Sequence, residues 1–138
     1  MSISQYPILP YLWWFQYVPV ISSTGFNTLF TDTIYLSKDL YMDSQRETPD
    51  PVTVALIKHQ EVHAHGASLW KAVRFVCSST FRLQEETLAY KAQFHHLKKH
   101  HLSWDLGDVA RQFSTIRYLW VMDYGDARKF IQEVWEAA

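Results

Sequence analysis

The chain is short of cysteine, of charge of one sign and of long apolar runs. Its one cysteine, Cys77, has no partner for an internal disulfide among 138 residues. That excludes a disulfide-stapled secreted scaffold and makes a reducing compartment the expectation. Thirteen basic residues against fourteen acidic ones leave a net charge of −1. No global basic field points to nucleic acid, and no nucleic-acid partner is expected. No run reaches the roughly 18 apolar residues that span a bilayer. The closest, Tyr6–Ile21, is uncharged and aromatic but carries Pro7, Pro10 and Pro19, with no basic residue before it. It reads neither as a signal peptide nor as a spanning helix. A packed N-terminal arm is expected, with contact of its Trp and Tyr side chains at a membrane interface as the alternative. Without an export signal the expectation is a cytoplasmic protein, and a virus-encoded origin stays open. Internal repeats, linkers and low-complexity segments are absent.

What is present is a core. Apolar residues make up 48% of the chain, with six Trp, eight Tyr and eight Phe. That excludes intrinsic disorder and suits one domain over residues 1–138, long enough to bury about 68–70% of its unfolded surface. Thr31–Leu36 is β-branched and aromatic and predicts a strand. Ser37–Asp50 is polar and predicts a surface loop. Asp50-Pro51 predicts a helix start, with Asp50 capping and Pro51 in the first turn, and Gly66 predicts its stop. A second helix is expected over about 67–77. Ser78, Ser79 and Thr80 predict a break with capping potential, and a long helix follows from about Phe81 to His100. Short helices should fill Asp105–Tyr124, and Gly125 or Asp126 should open the last one.

The informative stretch is His59-Gln60-Glu61-Val62-His63-Ala64-His65. At about 100° per residue, Val52, Ala55, Leu56, His59, Val62, His63 and Gly66 fall in one arc of roughly 120°. Two imidazoles one turn apart on an inward face can chelate one zinc ion, or can be hydrogen-bonded core residues. Glu61 and His65 project to the far side. On the long helix Leu83, Glu86, Tyr90, Gln93, Phe94 and Leu97 share an arc of roughly 100°. A carboxylate in the middle of an apolar stripe is costly without a partner, and a cation is the simplest one. Glu85 lies about 100° to the side and is expected to be solvated. His59, His63 and Glu86 together offer two nitrogens and one oxygen, the ligand set of a catalytic zinc with a position open to water.

The pair of motifs His59-Gln60-Glu61-Val62-His63 and Glu86-Thr87-Leu88-Ala89-Tyr90 resembles the zincin metallopeptidases of the glutamate-zincin type. The resemblance covers roughly residues 31–100. A metzincin pattern is disfavoured, because its third histidine would fall at Leu69. The resemblance implies an α+β fold, a mostly helical zincin-like minimal domain with a small N-terminal sheet. It implies Zn2+ as cofactor, held by His59, His63 and Glu86, and hydrolysis of a peptide or protein substrate by zinc-activated water. It also implies that Thr31–Leu36 is an edge strand beside the cleft, able to pair with an extended substrate. The helix from Pro51 would lie across the sheet.

Position 60 departs from the family pattern His-Glu-x-x-His. The glutamate there is the general base, and Gln60 has its shape without an ionisable group. General-base catalysis contributes roughly 10²–10⁴-fold, so the catalytic position Gln60 implies a severely impaired enzyme. Glu61 faces away and is no substitute. Two origins fit, a natural pseudoenzyme that keeps zinc for structure or for binding a peptide, and an introduced Glu→Gln change.

Elsewhere, His95-His96-Leu97-Lys98-Lys99-His100-His101 reads as a solvated helix end suited to the helix dipole. A second metal patch or an anion-binding surface is the alternative. Arg111, Arg117, Tyr118 and Tyr124 are the residues the resemblance offers as oxyanion stabilisers. Trp120, Phe130 and Trp135 are expected in the core, and Cys77 as a buried thiol.

Overall fold

The computed structural model describes residues 3–10, 28, 31–115 and 122–138. Most of the arm Tyr6–Ile21, with Pro19, lies outside the described residues, as do Arg117, Tyr118 and Trp120. Two strands come first, β1 (Ile8–Pro10) and β2 (Ile34–Leu36). They pair in parallel, Ile8 opposite Ile34 and Pro10 opposite Leu36. The described helices are α1 (Lys38–Ser44), α2 (Pro51–Ala64), α3 (Leu69–Cys77), α4 (Ser79–Lys99), α5 (Leu106–Phe113) and α6 (Tyr124–Ala137). The fold is α+β, mostly helical, with a small N-terminal sheet, as expected.

Local chemistry sets the helix ends. The Asp50 carboxylate accepts from the Val52 N–H at 2.8 Å and Pro51 opens α2. Gly66, at φ +67°, turns the chain out of it, a conformation that costs glycine nothing. Ser68 caps α3 by accepting from Lys71 N–H at 3.0 Å. Ser78 serves both sides of the break. Its N–H bonds Arg74 O and closes α3, and its hydroxyl accepts from Phe81 N–H and opens α4. Asp123 caps α6, so that helix begins at Tyr124, just before the expected Gly125 or Asp126.

Two expectations need correction. The stretch Ser37–Asp50 contains α1, where a loop was expected. Leu40 and Tyr41 of that helix pack against buried Ile34, Leu36 and Ile57, a contact made across the chain that local polarity hides. The strand begins at Ile34, three residues later than expected, because Asp32 takes a left-handed φ of 53° that breaks the extended run.

Ile57 places α2 against the sheet, with Ile34 and Leu36. The main core lies on the other side of α2. Ala55, Phe75, Tyr90, Phe94, Leu97, Val109, Phe113, Ile131 and Val134 join α2 to α3, α4, α5 and α6. Phe130 and Trp135 pack against it, as expected. Each large buried apolar side chain contributes about 1.5–3 kcal/mol relative to exposure. α2 and α4 run along each other through this core, and their facing sides carry the polar residues described next. Among the described residues no helix is long and apolar enough to cross a membrane.

Candidate metal centre

His59 and His63 stand one turn apart on the inner face of α2, and Glu86 faces them from α4. Their exposures are 6%, 0% and 1%. His59 Nε2 lies 3.5 Å from Glu86 Oε2, and His63 Nε2 lies 3.2 Å from Glu86 Oε1. One ligand atom from each of the three residues falls within 4.8 Å of the other two. Among the described residues no other group of three His, Cys, Asp or Glu side chains converges this way. Each histidine nitrogen is already about as far from a Glu86 oxygen as two ligands of one tetrahedral ion are from each other. Ligand atoms about 2.0–2.1 Å from zinc sit about 3.3–3.4 Å from one another.

Hydrogen bonding points the same way. His63 Nε2, Glu86 Oε2 and His59 Nδ1 are buried without a hydrogen-bond partner. Buried polar atoms are nearly always paired, and His63 Nε2 and Glu86 Oε2 meet only the facing charges of this cluster, without a hydrogen bond of good geometry. A cation between the helices satisfies His63 Nε2 and Glu86 Oε2 at once. Aromatic rings wall the site. Tyr90 meets His59 edge-on with ring centres 4.5 Å apart, and Phe75 meets His63 at 6.2 Å.

The charges are strongly coupled. Burial alone would raise the Glu86 carboxyl, but the facing His63 charge and the bonds from both histidines outweigh it and hold it down at about 2. Burial alone would lower His63, but Glu86 and Glu85 outweigh it and raise it to about 9. His59 stays below its ordinary value because burial dominates there. Without metal, His63 is therefore an imidazolium between two carboxylates. A metal ion would take the place of the proton on Nε2.

The structure brings His59, His63 and Glu86 together as the sequence predicts. Gln60 is buried at 5% exposure, and its Oε1 accepts from the Thr28 hydroxyl at 3.1 Å. Glu61 points away and pairs with Lys58 at 3.0 Å, and His65 is exposed. Glu85 corrects the expectation of a solvated carboxylate. Its side chain is 12% exposed and lies 3.3 Å from both His63 Nδ1 and Lys71 Nζ. Burial would raise Glu85, yet the His63 hydrogen bond and the Lys71 charge hold it below its ordinary value. The helical wheel of α4 could not show this, because α3 supplies the partner from the side. The spacing Lys71 to Glu85 carries no motif that would have announced it.

The histidine tract behaves as a helix end. His95, Lys99, His100 and His101 are exposed, and His101 leaves the helix at φ 56°. His96 is held below its ordinary value by burial, then by His100, Lys58, Lys99 and His95. Lys98 is not solvated. It donates to Trp135 O at 2.6 Å and closes the end of α6. Arg111 lies 3.9 Å from Asp105 and 3.7 Å from Asp108 at the exposed start of α5, and Tyr124 is 45% exposed. Cys77 is exposed where a buried thiol was expected, because the end of α3 turns it away from Phe75 and Ala72. Comparison with protein-family models, curated proteins and solved structures finds no match for the chain.

Proposed function

We propose that His59, His63 and Glu86 hold one zinc ion, and that the chain is a glutamate-zincin-type metallopeptidase for a peptide or protein substrate, impaired by Gln60. The observation that supports this most is the meeting of two buried imidazoles and one buried carboxylate, one ligand atom of each within 4.8 Å of the other two. A zinc ion with this donor set supplies Lewis acidity and lowers the pKa of water. The rest falls to the chain's own residues. His59, His63 and Glu86 position the ion between α2 and α4. Gln60 can donate or accept a hydrogen bond but cannot take a proton. The single thiol, Cys77, suits the reducing cytoplasm.

A second reading has its own support, a zinc-binding pseudoenzyme that holds a peptide without cutting it. Gln60 is buried and its carbonyl oxygen is engaged by Thr28. The Gln60→Glu variant separates the two. A carboxylate accepts the same Thr28 hydrogen bond, so that contact survives the change. The metallopeptidase reading expects hydrolysis of an unstructured protein substrate to rise roughly 10²–10⁴-fold in the zinc-loaded variant. No gain, with zinc still bound, would leave the binding module.

A further inference from the structure

The side of His63 away from the proposed ion is as closely furnished as the side that faces it. Its Nδ1 lies 3.3 Å from Glu85 Oε2, and Glu85 is the residue directly before the ligand Glu86 on α4. An ionised carboxylate only accepts, so Nδ1 carries the hydrogen and donates to it. That fixes the ring with Nε2 as the nitrogen free to face a metal.

Glu85 is itself held. Lys71 Nζ stands 3.3 Å from the same Oε2. The ammonium also donates to His63 O at 2.9 Å, His65 O at 2.6 Å and Val62 O at 3.4 Å. These carbonyls close α2, where a helix end leaves acceptors without intrahelical partners and favours a cation. Lys71 thus ties the start of α3 to the end of α2 and sets Glu85 against His63 in the same stroke. Both side chains are nearly buried, 13% exposed for Lys71 and 12% for Glu85, so water competes little for these bonds.

We propose that Glu85 is a positioning residue of the metal centre, anchored by Lys71, which orients His63 and strengthens its Nε2 as a ligand. The proposal rests on the zinc reading above. Outer partners of this kind typically change metal affinity 10–100-fold when removed.

The test is zinc affinity of the full-length protein, measured by competition with a chromophoric chelator for wild type, Glu85→Ala and Glu85→Gln. Glu85→Ala should bind zinc about 10–100-fold more weakly. Glu85→Gln keeps an acceptor for Nδ1–H and should recover most of that loss. Nitrogen-15 NMR of the zinc-loaded wild type needs no variant to fold, and it should show His63 protonated at Nδ1 and metallated at Nε2. Undiminished affinity in Glu85→Ala, equal loss in both variants, or metal on Nδ1 would overturn the proposal while leaving the zinc site standing. A wild type that takes up no zinc would overturn the zinc reading and this proposal together.

Discussion

Two pairs of histidines lie one helical turn apart in this chain, His59/His63 on α2 and His96/His100 at the end of α4. The rings are comparably close, with centres 5.1 Å apart in the first pair and 4.6 Å in the second. Even the orphaned nitrogen recurs, at His63 Nε2 and His96 Nε2. The surroundings differ. The first pair faces Glu86 and Glu85 in a closed core, while His96 is surrounded by His95, Lys58, Lys99 and His100. An i, i+4 spacing brings imidazoles together on any helix. What separates a cation site from a basic helix end is the carboxylate brought from a second helix, and the burial that makes its charge count.

The sharpest way to break the comparison is to remove that carboxylate. Glu86→Gln keeps shape and loses charge, and zinc affinity should fall by more than the roughly 100-fold that bounds an outer-shell change. The double variant His96→Ala/His100→Ala should bind zinc as wild type does in the same chelator competition. Matching losses in the two would show that the site had been assigned to the wrong pair.

Proton and metal compete for His63, so pH should resolve the pairs next. On the proposed site, zinc would displace one proton from His63, whose folded value is about 9. Affinity should therefore climb about tenfold per pH unit between pH 6 and 8. The metal-free protein should show the opposite trend at the alkaline end. The His63 contribution to stability is complete below its ordinary 6.5 and is lost as pH rises through about 9. The Glu86 contribution is present above its ordinary 4.5 and is lost as pH falls toward about 2. Denaturant titrations of the metal-free chain should place greatest stability between those ordinary values, and a flat profile across pH 6–9 would contradict the coupling.

The smallest effect sharpens the comparison by leaving it alone. Asp50→Ala removes the cap of the helix that bears His59 and His63, and should cost about 1 kcal/mol of stability. Zinc stoichiometry should not change.

Much of this was legible because it is local. The Asp50-Pro51 start, the Gly66 stop and the Ser78 break each rest on a residue's own conformation or on a bond a few positions away. The inward placement of His59, His63 and Glu86 followed from helical period alone. Most of the misses are contacts between distant segments; the left-handed Asp32 and the outward-turned Cys77 are local exceptions. α1 is held by Leu40 and Tyr41 on the sheet, and its Ser37 makes no side-chain cap that would mark a start. β1 needs a parallel partner 26 positions away, Ile8 with Ile34. Glu85 reads as solvated until Lys71 arrives from α3, and the hydrogen bond of Thr28 to Gln60 joins residues 32 apart.

The central claim is a single zinc ion between α2 and α4. It is tested most directly by elemental analysis of the purified protein beside its His59→Ala variant. The account predicts about one zinc per chain in the wild type, on a three-ligand site, and its loss in a variant that stays folded. A folded wild type that carries no zinc and takes none up when it is supplied would contradict it, leaving His59, His63 and Glu86 as a buried, proton-bridged cluster of the core.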